Sequence, residues 1–97
     1  MSRSSRWTFL TNHAVVLLQV WQNPDLTVRE IAERVGITER AVHRILADLN
    51  DSGYLLRRRI GRRSHYSVSS ERPLRHPLMG HVEVARLLQV LDPTTRR

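Results

Sequence analysis

Between Thr27 and Val68 three glycines, Gly36, Gly53 and Gly61, cut the chain into four short pieces of alternating periodicity, and few folds accept that order. Thr27-Val28-Arg29-Glu30 reads as a capping box, in which the threonine hydroxyl satisfies an early helical amide and the glutamate reaches back. The helix it opens buries Val28, Ile31, Ala32 and Val35, and Gly36 stops it with a left-handed backbone position. Ile37 plugs the core in the turn. Thr38 caps a second helix, which runs to about Asp51 and carries Val42, Ile45, Leu46 and Leu49 as an i, i+3, i+4, i+7 stripe. Gly53 stops that helix. Residues 54–60 then read as a strand, Gly61-Arg62-Arg63 as a turn and residues 64–68 as the returning strand.

The flanks read as helices. Residues 10–22 form the first, capped by Thr11 or Asn12. Ala14, Leu17, Leu18 and Trp21 share helical spacing, and Val15, Val16 and Val20 make its other faces apolar too. A helix apolar nearly all round demands cover on more than one side, and in a chain of 97 residues a second subunit is a source of it. Asn23-Pro24-Asp25 is a turn signal. Residues 69–77, with Pro73 and Pro77, form a connector to a last helix over 78–91. Val84, Leu87, Leu88 and Leu91 make its stripe, Leu78 and Val82 extend it, and Pro93 follows its end. Residues 1–6 read as a loose arm and 94–97 as a short tail. The whole of 1–97 reads as a single domain, mostly α with a small β-hairpin.

Sixteen basic residues stand against nine acidic ones, a net charge of +7, and every basic residue is arginine. The guanidinium is a planar donor fork suited to phosphates and guanine edges, so the balance favours a polyanionic partner. Without cysteine the chain can form no disulfide, thiolate metal site or cysteine nucleophile. No stretch approaches the roughly 20 apolar residues that span a bilayer, and the N-terminus lacks the pattern of a signal peptide, so a cytoplasmic location is expected. No nucleophile–base–orienter set and no phosphate loop stand out, so neither an enzyme nor a cofactor is expected.

The second helix of the central pair is the candidate reader of a DNA major groove, which admits an α-helix. Arg40, Ala41, His43 and Arg44 point outward from its first half. Arg40 and Arg44 lie one turn apart and reach guanine edges or phosphates. His43 can donate or accept, Ala41 can touch a thymine methyl, and Thr38 at the helix N-terminus suits a phosphate. The hairpin carries five arginines in seven positions. Arg57 and Arg59 share one strand face and Arg58 takes the other. Arg62 and Arg63 at the tip suit the adjacent minor groove, and His65 faces outward beside the core residues Tyr66 and Val68.

The segment LTVREIAERVGITERAVHRILADLNDSGYL with the basic hairpin after it resembles the small winged helix-turn-helix transcriptional regulators of the MarR and ArsR types, over residues 10–70. WTFLTNHAVVLL and PLRHP are similar to compact members usually labelled MarR-like. The resemblance implies that Ala41-Val42-His43-Arg44 lies on the recognition helix, that 60–65 is the tip of the wing, and that terminal helices build a homodimer. Such a dimer is expected to be a sequence-specific repressor on double-stranded DNA that binds an inverted repeat. The ArsR-type thiolate motif is absent, and the shortness of the chain leaves little room for the effector pocket of longer MarR proteins. Two other readings stay open at this point. One is a non-specific architectural protein. The other is a metal-responsive regulator using His76, His81 and Glu83, although Glu83 is only two residues beyond His81 rather than three or four.

Overall fold

The computed structural model describes residues 7–92, so the arm, the tail and Pro93 lie outside the described residues. Six elements follow in the order α1 (Asn12–Gln22), α2 (Val28–Val35), α3 (Glu39–Asp51), β1 (Leu55–Ile60), β2 (Arg63–Val68) and α4 (Val84–Leu91). This is the winged helix-turn-helix layout expected from the sequence.

Local chemistry sets most boundaries. Thr11 caps α1 by accepting from the Ala14 amide at 3.2 Å, so the helix starts at Asn12 rather than Leu10. The capping box of α2 is complete: Thr27 Oγ1 accepts from the Glu30 amide at 3.1 Å, and the Thr27 amide donates to Glu30 Oε1 at 2.9 Å. Gly36 ends α2 at φ 83°, a left-handed position that costs a side chain-bearing residue dearly, and the Gly36 amide closes on Ala32 O at 2.8 Å. Thr38 caps α3 through the Ala41 amide at 3.0 Å.

The core lies where α1, α2, α3 and the base of the hairpin meet. Val16, Val20, Ile31 and Val42 are wholly shielded, and Leu55 and Tyr66 close the bottom of the sheet. Val15, Leu18 and Trp21 are half-buried, so α1 is covered on several sides within one chain. Gln22 Nε2 donates to Asp92 Oδ1 at 3.2 Å and joins the ends of α1 and α4.

The last helix departs from expectation. It begins at Val84, not 78, and Leu78 is 78% exposed. Residues 73–83 are instead tied down by Leu74 N–H to Val82 O at 2.9 Å and a bridge between Pro73 and Glu83. The amides of Val84 and Ala85 donate to Arg72 O and Ser70 O at 2.9 and 2.8 Å. These earlier carbonyls satisfy the helix start in place of a side-chain cap, which Glu83 does not supply. The same connector clasps the end of α3: Arg72 donates to Ser52 O at 3.0 Å and Arg75 to Ser52 Oγ at 3.1 Å, while Tyr54 Oη donates to Pro73 O. Among the described residues no helix is long and apolar enough to cross a membrane.

Candidate nucleic-acid interface

Burying Val42, Ile45, Leu46 and Leu49 turns the opposite face of α3 to solvent. Arg40, His43 and Arg44 lie exposed on it, as expected, and Ala47 and Asn50 continue the same side toward the C-terminus. Ala41 is half-buried and sits on the flank rather than the crest, because it shares an edge with Ile45. The Thr38 hydroxyl accepts from the Ala41 amide and stands at the positive end of the helix dipole.

The hairpin pairs Leu55 with Val68 and Ile60 with Arg63 in antiparallel register, which leaves Gly61 and Arg62 as a two-residue loop. Gly61 has φ 64° and no other residue of the loop has positive φ, the pattern of a II′ turn with glycine first. Arg63 therefore belongs to β2 and only Arg62 sits on the loop. Arg57 and Arg59 lie opposite Tyr66 and Ser64, on the face turned toward α3, and Arg58 lies opposite His65 on the other. Arg57 Nε donates to Ser64 Oγ at 3.0 Å, which draws that guanidinium across the ladder. A cleft of about 430 Å³ separates the wing from α3, with His43, Ala47 and Asn50 on one wall and Arg57 on the other.

Among the described residues the ion pairs are His13–Asp48 at 2.8 Å, Arg29–Glu33 at 3.7 Å and His65–Asp25 at 2.9 Å. None involves an arginine of α3 or of the hairpin. Arg40, Arg44, Arg57, Arg58, Arg59, Arg62 and Arg63 thus form no ion pair among the described residues. The Glu30 carboxyl is held below its ordinary range, chiefly by the bond from the Thr27 backbone amide, with Arg34 and Arg63 adding attraction.

Three histidines are bonded within the chain. His65 is half-buried and bonded to Asp25, 40 residues away, so it is not the free outward contact expected. His13 is exposed and pairs with Asp48 of α3. His76 Nδ1 accepts from the Leu78 amide at 3.1 Å, and among the described residues no group of three or more histidine and acidic side chains is arranged to hold a metal ion. Sequence reasoning missed Asp25, Ser64 and Asn50 as parts of this region. Each is a small polar residue whose role depends on a partner brought near by folding.

Residues 15–55 match the model of a family described as winged helix-turn-helix DNA-binding. No curated protein matches the chain. Among solved structures it is similar to MepR, a transcription regulator of the Staphylococcus aureus multidrug efflux pump MepA, at 21% identity and TM-score 0.54, over 62% of this chain and 47% of that one. It is also similar to the PcaV transcriptional regulator from Streptomyces coelicolor, solved with its natural ligand, at 29% identity and TM-score 0.54, over 90% of this chain and 62% of that one. The chain thus spans less than two thirds of the length of either regulator. The first likeness is one of fold alone. Both of these neighbours are transcription regulators. The chain thus carries, over residues 15–55, a match to a winged helix-turn-helix DNA-binding family, and its fold is similar to that of regulators of the MarR type.

Proposed function

We propose that the chain is a sequence-specific regulator of transcription that binds double-stranded DNA as a homodimer and represses by occlusion. The observation that carries this reading is the cleft whose walls are the exposed face of α3 and Arg57 of the wing, with Asp51 at its edge, beside arginines of α3 and the hairpin that form no ion pair among the described residues. A helix lying in the major groove directs Arg40, His43 and Arg44 at base edges, and the phosphate backbone passes between helix and wing. Arg57 and Arg59 face that path, and Arg62 on the loop reaches onward to the next minor groove. Thr38 and the start of α3 meet a phosphate.

The dimer reading rests on apolar surface near the chain ends. Trp7 and Phe9 are 70% and 92% exposed and stack edge-on at 5.1 Å, and Val90 of α4 is 75% exposed. Burying such groups against a second copy releases them from water. A two-fold pair presents two copies of α3 to half-sites about 34 Å apart, hence an inverted repeat.

Selection from a pool of random duplex DNA at moderate salt tests the proposal. An enriched inverted repeat with half-sites one helical turn apart supports it. Retention without enrichment replaces it with charge-driven architectural binding, and no retention of duplex DNA overturns it in favour of RNA or a protein partner.

A further inference from the structure

We propose that Asp25 is a positioning residue for the wing: through His65 it sets where the wing arginines stand relative to α3. The inference rests on the DNA-binding reading and assigns a role to a carboxylate that touches no DNA itself.

A two-stranded hairpin is marginal by itself in water. Here its base is anchored by Leu55 and Tyr66, both buried, but every residue from Leu56 to Arg63 is exposed. Five of those are arginines, which repel one another. Near Tyr66 the brace comes from the turn between α1 and α2. The Tyr66 amide donates to Pro24 O at 3.0 Å, and next to it His65 Nδ1 lies 2.9 Å from Asp25 Oδ1. The turn is itself held, since the Asp25 amide donates to Asn23 Oδ1 at 3.3 Å and Thr27 then caps α2. Asp25 therefore belongs to the same packed body as the helix-turn-helix, and the latch refers the wing to it. His65 is faced by Asp25 from the turn and by Arg58 from β1, with Arg63 two residues along β2 and Glu30 on α2 beyond it.

Charge alone predicts the opposite effect of removing Asp25. A carboxylate beside a phosphate-binding surface opposes DNA, so its removal should tighten binding. A latch predicts weaker binding. The test is fluorescence anisotropy of the full chain on duplex DNA across a series of salt concentrations. We expect Asp25→Ala to bind several-fold more weakly, with a salt slope shallower by about one unit for each phosphate that the wing no longer reaches. In the Arg62→Ala/Arg63→Ala background the same change should add little, because the groups it positions are gone. The exchange Asp25→His/His65→Asp, which keeps the pair, should restore binding and guards against simple misfolding of the single variant. Tighter or unchanged binding by Asp25→Ala, or a weakening fully additive with the arginine changes, overturns the latch while leaving DNA binding intact. Failure of the unaltered chain to bind any duplex overturns the functional reading first.

Discussion

His13 Nε2 lies 2.8 Å from Asp48 Oδ2, and this pair ties the outer side of α1 to the flank of α3. The side chains are 46% and 55% exposed, so solvent screens the attraction. His13→Ala should cost no more than about 1 kcal/mol of stability. Urea unfolding at low and high salt checks this, and a larger cost would mean that the pair acts through packing rather than charge.

The arginines should divide by role. Arg44→Ala is expected to weaken discrimination between operator and mismatched duplex, at a cost of about 1–3 kcal/mol if it meets a base. Arg62→Ala/Arg63→Ala is expected to weaken all sequences alike and to flatten the salt dependence by about one unit of slope for each phosphate left unneutralised. Arg72 provides the contrast. It clasps the end of α3 through Ser52 O and lies over the Tyr54 ring, so Arg72→Ala should lower the melting temperature and leave the salt slope unchanged. Equal salt slopes for all these variants would dissolve the distinction.

Gly61 offers a change confined to backbone geometry. Nothing lies within 4 Å of a Cβ added there, yet φ is 64°. Gly61→Val should therefore strain the loop by about 1–3 kcal/mol and misplace Arg62, while the distant core keeps its packing. DNA affinity should fall more than thermal stability does. Wild-type affinity would show that the turn geometry does not aim the wing.

Glu30 links the second helix to pH. Its folded-state carboxyl lies below the ordinary value of 4.5, chiefly because the Thr27 amide bonds the charged form. A depressed acid contributes stability above its unfolded value and loses it as pH falls through the folded one. Glu30→Gln should thus be less stable than wild type at pH about 7 and close to it well below that range. Urea midpoints at both pH values decide it: an equal gap at both would place the effect elsewhere.

Much of this molecule was legible locally. The Thr27–Glu30 box, the stop at Gly36, the Thr38 cap and the buried stripe of α3 all act over a few residues, so spacing alone reveals them. The outward set Arg40, His43 and Arg44 follows from that stripe. Alternation along β1 likewise separates Arg58 from Arg57 and Arg59. The start of α4 was not legible, because it is set by the carbonyls of Ser70 and Arg72 and by the tie between Leu74 and Val82 rather than by a cap.

The sequence by itself determined the order of elements, most of the helix ends and the concentration of charge on the hairpin, since periodicity and capping are short-range. Only the tertiary structure decided that His65 turns to Asp25 and His13 to Asp48, across 40 and 35 residues. Such partners meet only where packed helices bring them together, and no local pattern encodes that distance.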